Sequence, residues 1–375
     1  MSFRLLAPAR ALLEQYAPGF DAILSEMPYG QREAAHSPVI GLFKKTRLGG
    51  LLAPTESGGL GATALQAIQV QYALGSRSPS LAVATTMHQF SMASLVAMVK
   101  LGGGAEVLLI NAIATQGLLL ASGFAEGVPG RGILDSGLTA TAAPGGVHIS
   151  GSKKPCSLAH SMDLLTASYV RPSPNGEELM IALIPAASPG LLRKPYWHNH
   201  ALAGGESDEI VLENVFVSDK MIFSAGCKAQ LEPVQVIGFI WFELLMSASY
   251  LGACAGLVEQ VVVRQRWNDS DRVDLAAELQ LAWFALHGAA HALASELARD
   301  DLLASVLLLR YGLEKLLARV SVAAHEMLGG NSFIASADSS NWLAACRGLC
   351  FHPPARISMY SALGPYLGAA QFSLS

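Results

Sequence analysis

From residue 3 to residue 114 apolar positions recur every three to four residues, the spacing of one helix face. Pro or Gly interrupts each run, as at Gly49-Gly50 and at residues 57–61. These runs predict helices over 3–16, 20–25, 38–47, 63–74, 81–100 and 105–114. The period changes after residue 117. Val147 and Ile149 alternate with polar neighbours, Gly151-Ser152 reads as a turn, and a second apolar run begins at Leu164. Alternation returns from Glu209 to Val217 and closes at Ser218-Asp219. Helical spacing resumes at Val234 and continues over 234–266, 272–299 and 301–328, with shorter stretches near 342–349 and 357–367. Between those last two, Pro353-Pro354 stops the helix, because neither proline donates a backbone hydrogen bond. The pattern divides the chain into a helical region at 1–117, an all-β region at 118–223 and a helical region at 224–375 that reads as a four-helix bundle. The expected class is α+β.

Composition narrows what such a chain does. Of its 375 residues 51% are hydrophobic and only 14% charged, an apolar excess that points to subunit interfaces, hence a homodimer or homotetramer. The net charge of −4 comes without any basic cluster, so there is no electrostatic footprint for nucleic acid. The most apolar helix carries Glu243 and Glu259, which fits a buried helix better than a membrane span. The N-terminus lacks the long apolar region of a signal peptide. The five cysteines, Cys156, Cys227, Cys254, Cys346 and Cys350, show no zinc spacing and read as core thiols, so no metal is expected. These features together predict a reduced, cytoplasmic protein. The Gly cluster at 57–61 follows no strand and precedes no Lys-Ser/Thr pair, so it is a turn rather than a phosphate cradle.

Several stretches then resemble one family in its own order: residues 51–61 (LLAPTESGGLG), 120–124 (LASGF), 150–159 (SGSKKPCSLA), 202–217 (LAGGESDEIVLENVFV) and 327–333 (MLGGNSF). The resemblance is to the acyl-CoA dehydrogenase superfamily and spans nearly the whole chain. It implies an N-terminal helical domain, a middle β domain and a C-terminal four-helix bundle around FAD, with FMN as the alternative flavin. It also implies that Ser122 and Ser157 contact the flavin edge. Arg264 and the Gly329-Gly330 pair would hold the cofactor's adenosine half across a subunit interface. The family's Gln before that pair is Glu326 here. Its Phe-Gly after the arginine is missing, although Arg266 and Trp267 follow Arg264.

Two chemistries remain open. The first is α,β-dehydrogenation of an acyl thioester, on CoA or a carrier protein, with electrons passed to an external acceptor. That reaction needs a carboxylate base over the substrate. The family's usual C-terminal Glu position is Pro353 here, and the alternative helical position falls at Phe242, next to Glu243. Glu243 is therefore the base, the partner of a buried arginine, or an exposed residue on the far face of its helix. The second chemistry follows the dibenzothiophene monooxygenase-like branch, which uses reduced flavin from a separate reductase and O2. Its pattern resembles His88, the Cys156-Ser157 pair and the run from Arg347 through His352 to Pro353. Imidazole and hydroxyl donors of this kind stabilise developing charge on oxygen in a dry pocket. A third reading is a non-catalytic assembly protein that keeps the fold.

Overall fold

The computed structural model describes residues 3–104, 106–128, 134–174, 176–227, 232–264, 267–295 and 299–372. Seven helices lead: α1 (Ala7–Tyr16), α2 (Phe20–Glu26), α3 (Tyr29–Glu33), α4 (Val39–Lys44), α5 (Ala64–Arg77), α6 (Pro79–Lys100) and α7 (Glu106–Gln116). Local chemistry sets their starts. Thr63 and Gln66 form a reciprocal capping box on α5, while Ser78 caps α6 ahead of Pro79 in its first turn.

Eight strands follow: β1 (Leu120–Gly123), β2 (Thr139–Ala143), β3 (Gly146–Cys156), β4 (Leu164–Ser173), β5 (Gly176–Pro185), β6 (Leu191–Lys194), β7 (Asp208–Ser218) and β8 (Ile222–Cys227). They make two four-stranded sheets, ordered β1-β4-β5-β8 and β2-β3-β7-β6. Among the described residues only the β1–β4 pair is parallel, and the other pairings are antiparallel. The Gly151-Ser152 turn expected from the sequence does not form, because β3 runs straight through it. What the glycine marks instead is a register shift between Ile149 and Gly151, followed by a second between Lys153 and Cys156.

The C-terminal region holds α8 (Pro233–Arg264), α9 (Asp269–Ala294), α10 (Arg299–Ala335), α11 (Asp338–Cys346) and α12 (Tyr360–Leu367). Of these, α8 is apolar on nearly every side and accordingly runs through the middle of the molecule, with most of its residues from Val236 to Val261 buried. It lies so close to α5 that a Cβ on Gly252 would stand 2.2 Å from the Tyr72 carbonyl oxygen. A bidentate ion pair from Arg10 to Glu259, at 2.7 Å per oxygen, ties α1 to the same helix. Both α6 and α8 are long and apolar enough to cross a membrane, yet most of each is packed inside the fold. Several large apolar side chains of the C-terminal helices stay exposed, among them Leu281 at 69%, Phe284 at 62% and Ile334 at 83%.

Candidate active site

All three regions meet at one cavity of about 320 Å³. From α6 come Phe90, Ser91, Ser94 and Met98; from the β region Ser122, Ser157, Thr166 and Trp197; from α8 Gln235, Gly238, Phe239, Phe242 and Tyr250. The loop after α11 closes it with Phe351, His352 and Pro353. Most of the lining is apolar, and no Asp, Glu, Lys or Arg is part of it among the described residues.

The hydroxyls of the β wall are fixed by one another and by backbone. Ser157 Oγ lies 2.9 Å from Ser207 Oγ, and Thr166 donates to the Ala121 carbonyl at 3.0 Å. Cys156, between the wall and the core, is fully buried, and that burial pushes its thiol up to about 12. It packs as a core residue. The two serines expected from the sequence therefore share one wall, small neutral donors beside an apolar slot.

On the helical wall, His352 Nε2 and the Tyr250 hydroxyl share a hydrogen bond of 2.8 Å. Burial, with the nearby Arg310 charge adding to it, lowers the His352 pKa to about 3, so its imidazole is neutral at physiological pH. Burial also raises the Tyr250 phenol far above its ordinary range, so it stays protonated. No side chain fits at residue 348, where a Cβ would stand 2.4 Å from the Tyr250 oxygen.

Of the three readings of Glu243, the structure places it beside a buried arginine. Its carboxylate does not line the cavity. It is fully buried, and Arg310 Nη1 donates to both its oxygens at 2.9 and 3.0 Å. Burial pushes the carboxyl up to about 7 against the pull of that arginine. The same guanidinium donates to three carbonyls of the closing loop: Leu349 at 3.0 Å, His352 at 2.5 Å and Pro353 at 3.2 Å. Glu243 thus orients Arg310, and Arg310 fixes the backbone that presents His352. Committed to Arg310 and off the cavity lining, this carboxylate does not stand where the sequence placed a base over the substrate. Neither Arg310 nor Tyr250 was singled out from the sequence. The signal was an acid inside an apolar helix, which calls for a cation, and Arg310 sits within the apolar 301–328 run.

His88 is also off the cavity. Leu120 N–H donates to its Nδ1 at 3.0 Å, and Nε2 reaches the Gly49 carbonyl at 2.6 Å. Burial lowers its pKa to about 4. It is a neutral strut that holds the start of β1, two residues before Ser122. Arg264 and the Gly329-Gly330 pair are brought together elsewhere. Gly329 (φ 76°, ψ 168°) interrupts α10, Arg264 hydrogen-bonds Ser332, and Trp267 donates to the Met327 carbonyl at 2.6 Å. None of them lines the cavity. Arg266 lies outside the described residues. No group of three or more His, Cys, Asp or Glu could hold a metal among the described residues.

No protein-family model matches the chain. Isobutylamine N-hydroxylase of Streptomyces viridifaciens is 39% identical over 377 residues, covering 99% of this chain and 100% of the relative. The structure of KijD3 in complex with FMN and dTDP-3-amino-2,3,6-trideoxy-4-keto-3-methyl-D-glucose superimposes with a TM-score of 0.84 at 15% identity, over 97% of this chain and 95% of that one. FMN-bound TdsC of Paenibacillus sp. A11-2, a dibenzothiophene monooxygenase, gives a TM-score of 0.80 at 19% identity, over 100% and 99%. At these identities the two structures establish the fold alone.

Proposed function

The chain belongs to the acyl-CoA dehydrogenase superfamily of flavin-dependent oxidoreductases, and on that premise we propose that it is a monooxygenase that hydroxylates the nitrogen of an amine. The observation that carries this reading is the neutral His352–Tyr250 pair in an apolar cavity, beside Pro353 where a dehydrogenase keeps its base. The full-length relative that hydroxylates isobutylamine supports the choice of nitrogen as the target atom. Against this, the acyl-thioester reading is left without a carboxylate at the cavity among the described residues.

The β wall fits a flavin: Ser122, Ser157 and Thr166 supply hydroxyls for the ring edge, and Trp197 and Phe124 supply apolar surface. FMN is favoured over FAD. The residues expected to hold an adenosine tail do not line this cavity, and both structural neighbours named above were solved with FMN. When bound, the reduced flavin supplies the two electrons that let one atom of O2 enter the substrate while the other leaves as water. A separate flavin reductase would provide that reduced flavin.

The chain's own residues explain the rest. An amine is a nucleophile only as its free base, and an apolar lining without carboxylates penalises the ammonium form. His352 and Tyr250, both neutral, offer hydrogen bonding that neither adds charge nor withdraws the lone pair by protonating it. Phe90, Phe239 and Phe242 keep water from the reacting atoms. Association of copies through the apolar face around Phe284 and Ile334 completes the proposal.

The test is to mix the protein with FMN, a flavin reductase, NADH and isobutylamine under labelled O2. An alkylhydroxylamine carrying one labelled oxygen is expected. Anaerobic bleaching of bound flavin by acyl-CoA thioesters, with no amine oxidised, would restore the dehydrogenase reading.

A further inference from the structure

One polar group at the cavity has nothing to do in the chemistry described above. Gln235 stands in the first turn of α8, and its Oε1 accepts the backbone N–H of Glu232 at 2.7 Å. That bond caps the helix, and it settles the orientation of the amide, since a reversed Nε2 would face another donor. The Nε2 end is buried and has no hydrogen-bond partner, and the side chain lines the cavity. A glutamate would cap equally well. The amide half is thus surplus to the cap, and an unpaired buried N–H is a standing cost.

The serine hydroxyls of the surrounding wall are already committed. Ser91 and Ser94 donate to the Met87 and Phe90 carbonyls at 2.8 and 2.9 Å, and Ser224 donates to Glu178 at 2.5 Å. Along α8 the cavity wall runs from Gln235 through Gly238 and Phe239 to Phe242, whose ring meets the His352 ring edge-on at 6.3 Å between centroids. Seven residues of helix separate Gln235 from Phe242, about 10 Å along the axis. A donor therefore waits one chain length away from the reacting end, with apolar surface between.

We propose that Gln235 reads the far end of the substrate: the amine carries a neutral carbonyl oxygen, of amide or ester type, that accepts from the Gln235 side chain while its nitrogen lies at the His352 end. This deepens, and rests on, the amine-hydroxylation reading. A carboxylate tail is disfavoured because no cation lines the cavity among the described residues.

The experiment measures binding by calorimetry to the FMN-loaded protein, without reductase, for ω-amino carboxamides and for n-alkylamines of matched chain length. One carboxamide length should bind roughly five- to tenfold more tightly than its alkylamine, the worth of one hydrogen bond. Gln235→Leu should erase that preference and leave alkylamine binding intact. Gln235→Glu, which keeps the cap but not the donor, should erase it without lowering the melting temperature. Equal binding at every length in the wild type, or a preference that survives in Gln235→Leu, overturns the proposal. Hydroxylation is scored separately. Oxidation of isobutylamine without any carboxamide preference defeats this inference and leaves the monooxygenase reading standing. A Gln235-dependent preference without oxidation of any amine does the reverse, keeping the docking contact and removing the amine chemistry.

Discussion

Ser122 and Ser157 reach the cavity from the β region on neutral supports: the Ser207 hydroxyl beside Ser157 and the β1–β4 ladder that carries Ser122. On the opposite wall His352 arrives on a short loop, and what fixes that loop is a fully buried charge, Arg310, balanced by two buried carboxyls, Glu243 67 residues away and Glu314 one helical turn on. Neutral contacts fail one at a time, each for about a kcal/mol. A buried ion pair fails as a unit, because removing one member strands the other in a medium that cannot solvate it. The same cavity thus has one wall that degrades gradually and one that does not.

Arg310→Met is the sharpest way to expose that contrast. It leaves Glu243 and Glu314 unpaired and should lower the unfolding free energy by about 3–5 kcal/mol, read from chemical denaturation. Adding Glu243→Leu and Glu314→Leu to Arg310→Met should recover much of the loss, whereas no second change on the β wall should. His352→Ala comes next. It leaves the buried Tyr250 hydroxyl unpaired, so stability falls by about 1–3 kcal/mol, but turnover of the folded protein should drop by about 10²–10³-fold, the range for losing one preorganised donor. Steady-state rates with titrated FMN would check it.

Acid provides a graded test. His88 and His352 are held neutral in the folded state, at about 4 and about 3, while an unfolded histidine protonates near 6.5. Below about pH 6.5 the unfolded chain binds more protons than the folded one, so the stability these rings contribute is complete above that pH and drains away as pH falls. Glu243, whose carboxyl is held up to about 7, acts in the opposite sense over the same range, so denaturation midpoints are read as a difference: the stability of wild type relative to His352→Gln should fall as pH drops below about 6.5. The smallest effect belongs to Ser157→Ala, which should weaken flavin binding by about 0.5–1.5 kcal/mol, measured by fluorescence titration, with little change in melting.

The two walls were also unequally legible in the sequence. Period two and the short motif around Cys156-Ser157 locate the β wall, because a strand places its residues by local alternation. Helices were equally plain: the runs at 63–74 and 81–100 appear as α5 and α6, extended by a few residues at their ends. The helical wall was harder to read, since its function depends on which faces of α8, α10 and the 349–353 loop meet. Glu243 was noticed because an acid is out of place in an apolar helix, but periodicity alone cannot say whether it faces a substrate or an arginine. His88 misled for a related reason. A buried imidazole in an early helix looks the same in sequence whether it meets a ligand or, as here, the backbone at Gly49 and Leu120. Gln235 left no trace at all, because a capping glutamine is unremarkable until its unpaired amide nitrogen is seen at the cavity.

The two register shifts between β3 and β7 behave like a pair of cancelling errors. Summing partner numbers gives 364 for Ile149 with Val215, 363 for Gly151 with Leu212 and for Lys153 with Ile210, and 364 again for Cys156 with Asp208. The first slip spends an extra residue on β7, the second spends one on β3, and the count is restored one residue before Ser157. Deleting a single residue from either stretch would leave one slip uncorrected, so that everything beyond it faces the wrong way. Deleting one from each would balance the count again. Insertions and deletions here should therefore be tolerated in pairs, one per strand, even though the two positions lie some sixty residues apart in the chain.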